Sequence, residues 1–216
     1  MGLRLRPRRG RAPAVPRAPA WRRAPALLLA VSLLAGAAAG PAPAAGFRGG
    51  EISPPRAAPE LALRDQDGAA FRLSRLRGQV VLLFFGYTLC PDVCPATLAE
   101  LVQARARLGE AARGVRIVFV TVDPERDTAE RLREYTRAFG GAFTALTGEA
   151  AALAEVRRAY GVTAEKRAVK GTAATYLVDH SAMVHVIDPE GRLRLLFPFG
   201  TTPDDIEHDI RLLLGR

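Results

Sequence analysis

The sequence predicts an α/β domain: a central mixed β-sheet flanked by helices, with an extra β-hairpin at its N-terminal side. Three observations carry that reading. Two β-prone runs, Val80–Phe85 and Val115–Val122, have the composition of strands buried on both faces. Helical periodicity between and after them makes strands and helices alternate through the middle of the chain. Near the end, Asp188-Pro189-Glu190-Gly191 separates two apolar strands as a hairpin turn, which adds antiparallel strands to the sheet.

The elements follow in order. Residues 46–57 are rich in Gly, Pro and Ala and read as a linker, so the domain is expected over 58–216. Leu61–Leu63 and Phe71–Leu73 are short strands around the turn Asp67-Gly68, and Ser74–Gly78 is a turn. After the Val80–Phe85 strand, Leu98, Leu101, Val102 and Leu108 recur at helical spacing and predict a helix from Cys94 to near Ala112. A helix over Asp127–Phe139 would be capped by Asp127 or Thr128. Phe143–Leu146 is a short strand, and Thr147 is the expected cap of a helix over Glu149–Tyr160 that Gly161 ends. Glu165–Ala174 is polar and reads as a loop. Tyr176–Val178 and Val184–Ile187 are two strands or one bent strand, Leu193–Phe197 is the last strand, and Pro203–Leu214 is a closing helix. No internal repeat is present.

The start of the chain is unlike the rest. Residues 1–45 contain Arg4, Arg6, Arg8, Arg9, Arg11, Arg17, Arg22 and Arg23 and no acid. An apolar run, Ala26–Gly40, and the small-residue stretch Pro41–Ala45 follow the basic part. A basic, then apolar, then small-residue order is that of an export signal. At about 15 residues the run is short of the ~20 that span a bilayer comfortably. A cleaved signal is the first expectation and a retained membrane anchor the second. The domain is then periplasmic, either soluble after cleavage or held on the inner membrane by residues 26–40.

Charge agrees with this division. The whole chain carries +9, from 31 basic and 22 acidic residues. Setting aside the eight arginines of residues 1–45 leaves 23 basic residues against 22 acids, a net +1. The basic character belongs to the leader, which removes the argument for nucleic-acid binding.

Only two cysteines occur, in Gly86-Tyr87-Thr88-Leu89-Cys90-Pro91-Asp92-Val93-Cys94-Pro95. They follow a buried strand and open a helix, a position that suits a thioredoxin-like arrangement. Partial positive charge at a helix N-terminus favours thiolate over thiol. A four-residue step puts both sulfurs on one helix face. A structural disulfide is the bland reading, and so short a loop would remove little chain entropy. The functional readings are thiol–disulfide exchange and metal binding. Redox pairs usually take C-x-x-C spacing, and the extra residue leaves room for a metal between the sulfurs.

A third ligand is sought among three histidines, His180, His185 and His208. His208 lies beside Glu207 and Asp209 in the closing helix and reads as a surface residue. His185 alternates with Val184 and Val186 and reads as structural or exposed. His180 ends the run Tyr176-Leu177-Val178-Asp179-His180, where a side chain can leave the sheet and meet a loop. Two cysteines and a histidine form a soft, three-coordinate set that suits Cu(I), and Cu(II) if another ligand joins. Zinc prefers four ligands, and no fourth is evident. Met183 reads as core. Asp204 and Asp205 read as helix-start caps. Asp123, Arg126 and Asp127 read as capping and a local ion pair, while Asp92 and Asp179 flank the candidate ligands and are placed to tune them. H-E-x-x-H, P-loop, G-x-G-x-x-G and G-x-S-x-G motifs are absent.

These segments resemble the Sco/SenC family. Gly86–Pro95 looks like its signature, Thr121-Val122-Asp123-Pro124-Glu125-Arg126-Asp127-Thr128 resembles its second motif, and Tyr176–Ser181 its third. The resemblance covers about residues 57–214. It implies a thioredoxin-like copper protein outside the cytoplasm that helps assemble the dinuclear copper centre of cytochrome c oxidase. Its implied ligands are Cys90, Cys94 and His180. Its implied partners are the copper-accepting oxidase subunit and another copper chaperone or a thiol reductant, with the protein itself a monomer. Thr175 stands where the family often has an acid. The basic stretch with Lys166, Arg167 and Lys170 is either a solvated loop or a docking patch for an acidic partner. The rival functions are a thiol–disulfide oxidoreductase that reduces the acceptor's cysteines and a peroxiredoxin-like peroxidase. Whether the protein is an enzyme depends on which of these holds.

Overall fold

The computed structural model of the chain describes residues 46–169 and 176–215. The expected export signal or anchor, and Lys170 and Thr175, lie outside the described residues. Among the described residues no helix is long and apolar enough to cross a membrane. The strands are β1 (Gly50–Ala57), β2 (Ala62–Asp65), β3 (Ala70–Arg72), β4 (Val80–Gly86), β5 (Val115–Thr121), β6 (Thr144–Thr147), β7 (Ala164–Ala168), β8 (Tyr176–His180), β9 (Val184–Ile187) and β10 (Arg192–Phe197). The helices are α1 (Val93–Arg107), α2 (Ala129–Ala138), α3 (Ala150–Tyr160) and α4 (Pro203–Leu213).

One mixed sheet runs β1-β10-β9-β4-β5-β6-β2-β3. β4, β5 and β6 are parallel to one another, and β9 pairs antiparallel with the other edge of β4. Every residue of β4 is buried, as its unbroken apolar run requires at the centre of a covered sheet. Phe84, Phe85, Phe119, Leu98 and Leu101 are among the large side chains that fill the core. α1 packs beside α4, α2 against β6 and α3 against β2. The expected mixed sheet is present, and β2 and β3 form the extra hairpin at its edge. β7 and β8 stand apart as a two-stranded antiparallel ribbon.

Several expectations are corrected. The segment 46–57 is not a linker: β1 occupies most of it and pairs antiparallel with β10, so the domain starts before residue 58. Its register shifts between Glu51 and Arg56, around Pro54-Pro55. Prolines lack the ladder donor and are tolerated on an edge strand, which is why the composition resembled a linker. The entry to β1 is pinned by Asp209, a buried side chain of α4 that accepts the N–H groups of Arg48 (2.9 Å) and Gly49 (2.8 Å). A Cβ on Gly49 would lie 2.6 Å from the Phe197 ring, so only glycine permits that approach.

Glu165–Ala174 is not simply a loop, because β7 takes its first part. β7 is exposed along nearly its whole length and so carries no apolar alternation for a sequence reading to detect. α1 stops at Arg107, and Gly109, at φ +58, turns the chain into a short 3-10 segment, Gly109–Gly114. Thr128 is the cap of α2, accepting from the Arg131 N–H, while Asp127 turns inward. Thr147 ends β6 instead of capping α3, whose N-cap is Glu149. Gly161 ends α3 in the left-handed conformation, as expected.

Replacing Asp209 by alanine should leave two backbone donors at the β1 entry without their acceptor. We expect a stability loss of ~1–3 kcal/mol in urea unfolding. A midpoint within error of the parent would refute the anchoring role of this carboxylate.

Candidate metal centre

β4 delivers the chain to the site. Its last residue, Gly86, is followed by the buried Tyr87, the half-buried Cys90 and then α1, whose first turn holds Cys94. The sulfur of Cys94 is pressed onto bare backbone: a Cβ on Gly86 would lie 2.9 Å from it and 2.8 Å from the Phe119 ring. Glycine is required there for close approach, a need that no spacing rule in the sequence reveals.

The loop between β4 and α1 is held by Asp127. This fully buried carboxylate accepts from the Thr88 N–H (3.1 Å), the Thr88 hydroxyl (2.6 Å) and the Thr121 hydroxyl (2.6 Å). Burial raises its pKa, and the threonine bonds act against that rise. Asp127 therefore anchors the cysteine loop to β5, beyond the helix-capping role read from sequence.

His180 closes the arrangement from the end of β8. Its Nε2 lies 3.4 Å from Cys94 Sγ, and its Nδ1 lies 3.0 Å from the Ser181 carbonyl oxygen. A carbonyl only accepts, so in the neutral ring Nδ1 carries the proton and the Nε2 lone pair faces the sulfurs. The ring stands edge-on to Tyr87 (centroids 5.9 Å) and Phe84 (6.2 Å), which limits its tilt. The donor atoms of Cys90, Cys94 and His180 all lie within 4.8 Å of one another. Two soft sulfurs and one imidazole at that separation fit a single soft cation.

The two thiols do not behave alike. Contact with Cys94 lowers the Cys90 pKa to about 3, helped by the N–H groups of Asp92 and Cys94, while burial opposes it. The same Cys90 contact raises the Cys94 pKa, and burial adds to the rise. The pair thus gives up its first proton easily and its second with difficulty.

The other candidates lie elsewhere. His185 is buried, with Nε2 3.2 Å from the Tyr160 carbonyl oxygen and its ring edge-on to Phe85 and Tyr160; burial lowers its pKa. It is structural. His208 sits on α4, 3.3 Å from the Gly46 carbonyl oxygen. Asp204 pairs with Arg107, and Asp205 with Arg48. Asp179 beside His180 is exposed and pairs with Arg167 at 2.9 Å, while Lys166 pairs with Glu125. The two described cations of the basic stretch are thus already matched within the chain. Met183 lies on another groove with Leu196 and Phe199.

The model of the SCO1/SenC family matches residues 50–215. The chain is 36% identical over 155 residues to the mitochondrial protein SCO2 homolog of Bos taurus, covering 70% of this chain and 58% of that protein. It is 36% identical over 140 residues to a putative copper-binding protein of Stutzerimonas stutzeri, covering 64% and 68%. The copper-bound structure of ScoI from Bradyrhizobium japonicum superposes with a TM-score of 0.67 at 35% identity, over 73% of this chain and 99% of that one. The apo Sco1 solution structure from Thermus thermophilus gives 0.64 at 40% identity, over 79% and 95%.

In the metal-free, reduced protein, iodoacetamide should label Cys90 well before Cys94. A lowered pKa leaves Cys90 as thiolate throughout the range from pH 8 to 5, so its rate should stay nearly flat there. An ordinary thiol would slow about tenfold per pH unit below its pKa of ~8.5. Equal labelling, or such a slope at Cys90, would contradict the unequal acidity of the two thiols. Gly86→Ala should cost ~1–3 kcal/mol by overpacking. Unchanged chemical denaturation of that variant would show that the Cys94 sulfur has room to move.

Proposed function

The chain belongs to the SCO1/SenC family, and on that premise we propose that it is a copper chaperone. It takes one copper ion through Cys90, Cys94 and His180 and passes it to the copper-accepting subunit of cytochrome c oxidase, where it helps build the dinuclear centre. The observation that carries this reading is the convergence of two sulfurs and an imidazole nitrogen within 4.8 Å. Copper-bound relatives of the same fold support it. The acceptor follows from the family resemblance. Work outside the cytoplasm, as a periplasmic protein freed from its signal or anchored by residues 26–40, belongs to the same proposal.

Copper is cargo in this scheme, so binding must be tight and still reversible by ligand exchange. Uptake releases the remaining thiol proton, held mainly on Cys94, and affinity therefore falls in acid. Cys94 is fully buried, while Cys90 and His180 are half-exposed. An acceptor thiolate or imidazole reaches the ion from their side, beside a groove formed by Tyr87, Pro91, Val93, Leu177 and Ala182. Cys90 and His180 are the bonds to be replaced first, and Cys94 is the last to let go.

A second reading has its own observation. A half-exposed thiol of lowered pKa in front of a buried partner is also the layout of an attacking and a resolving cysteine. Cys90 thiolate would attack an acceptor disulfide and form a mixed disulfide. Cys94 would then attack the Cys90 sulfur, releasing the reduced acceptor and leaving a Cys90–Cys94 disulfide. An external thiol reductant would have to restore the pair.

The reduced protein should bind about one equivalent of copper, as a single three-donor site requires. Cys90→Ser or Cys94→Ser should abolish this, and His180→Ala should weaken it. Unchanged stoichiometry in all three variants would end the chaperone reading. If His180→Ala supports oxidase assembly in cells as well as the parent while both serine variants fail, the reductant reading wins.

A further inference from the structure

His180 is carried by a ribbon that, among the described residues, shares no hydrogen-bond ladder with the main sheet, although Val178 of β8 is buried in the core. β8 pairs only with β7, and the pair forms a separate two-stranded sheet. A lone two-stranded ribbon is marginal in water. Something outside its own ladder must decide where its far end sits.

Val178 supplies part of that restraint from within the core, and the start of β8 supplies a second part through Tyr176. The tyrosine hydroxyl donates to Asp123 Oδ1 at 2.8 Å, and Asp123 is fully buried in the loop just after β5. Arg126 Nη1 donates to the Tyr176 carbonyl oxygen at 2.9 Å. The Arg126 guanidinium also lies 3.6 Å from the Tyr176 ring centroid and pairs through Nε with Asp123. Lys166, from β7, approaches the same ring at 4.8 Å while pairing with Glu125. Hydroxyl, ring and carbonyl of one residue are thus all held by the loop that joins β5 to α2. Arg126 is also 5.7 Å from the ring of Tyr87, which itself abuts the His180 ring.

We infer that Asp123, Arg126 and Tyr176 form a clasp that positions His180 over the two cysteines. They are positioning residues: none of them belongs to the Cys90–Cys94–His180 set. The extended strand connects the two ends: four peptide steps separate Tyr176 from His180, and Val178 between them is held in the core. The clasp bears on the imidazole directly, whereas the sulfurs are placed by Gly86, Asp127 and α1, which it meets only through the Asp123–Thr121 and Asp123–Asp127 backbone bonds and the Arg126–Tyr87 contact. The consequence for copper rests on the chaperone reading above; the consequence for the ring position does not.

The test uses the full chain with Arg126→Met, Arg126→Lys and Tyr176→Phe. Arg133→Met serves as a control, since it breaks a pair with Asp67 and a bond to the Gln66 carbonyl oxygen, neither of which involves the clasp or the three donors. The first readout is NMR of the His180 ring protons in the metal-free reduced protein, where Phe84 and Tyr87 displace them by ring currents. The second is Cu(I) affinity by competition with a chromogenic chelator. In Arg126→Met the ring signals should move toward those of an unstructured histidine, and affinity should fall about tenfold, the usual scale for losing an outer support of a ligand. Arg126→Lys keeps the charge but loses the fork that grips Asp123 and the Tyr176 carbonyl, and should fall between. Should Arg126→Met not fold, Tyr176→Phe decides, since it removes one hydroxyl and keeps the stacked ring. Ring signals as in the parent, in whichever of these variants folds, overturn the clasp. If His180→Ala leaves copper affinity unaltered, the copper reading fails, and the ring signals still judge the clasp.

Discussion

The close approach of the Cys94 sulfur to the backbone of Gly86 is the constraint on which the rest of this structure depends. It is made at the C-terminal end of a fully buried strand, where neither partner can retreat: Phe84 and Phe119 fill the space on the other sides. With Cys94 seated there, the first turn of α1 is fixed in place. Cys90, four residues earlier in the loop before α1, is left half-exposed. A buried sulfur that cannot move and an exposed one that can be reached follow from a single packing contact.

Two buried carboxylates then divide the work of placing what surrounds the sulfurs. Asp127 ties the loop before Cys90 to β5 through the threonines at 88 and 121. Asp123 looks the other way, toward Arg126 and Tyr176 at the root of the ribbon that carries His180. The two acids are four residues apart in one motif, yet they serve different halves of the site. Fully buried acids are rare unless they are bonded, and each is bonded here.

The unequal acidity of the two cysteines connects this geometry to chemistry. The outer thiol is pushed down and the buried one up, so the reduced pair favours a state with one thiolate. That state suits capture of a soft cation, which displaces the last proton, and it equally suits nucleophilic attack by the outer sulfur. The imidazole distinguishes the two uses. Its Nδ1 is committed to the Ser181 carbonyl, which leaves Nε2 as a lone-pair donor beside the buried sulfur. A ligand needs that orientation, whereas disulfide exchange between two cysteines does not.

Local chemistry made the sheet core, the helices and the three reactive side chains legible in the sequence. The apolar run of β4, the helical spacing of Leu98 and Leu101 and the C-x-x-x-C pair each depend on neighbours a few residues away. β1 and β7 were hidden because their patterns are polar or proline-rich and only a distant partner strand makes them strands. Asp127 looked like a cap for the same reason: its actual partners include Thr88, 39 residues distant. Tertiary structure alone decided that an imidazole 86 residues beyond Cys94 lies 3.4 Å from its sulfur. Alternation and capping are set by backbone geometry over one or two turns. The convergence of three donors is set by how a sheet and a separate ribbon pack, which no short stretch of chain encodes.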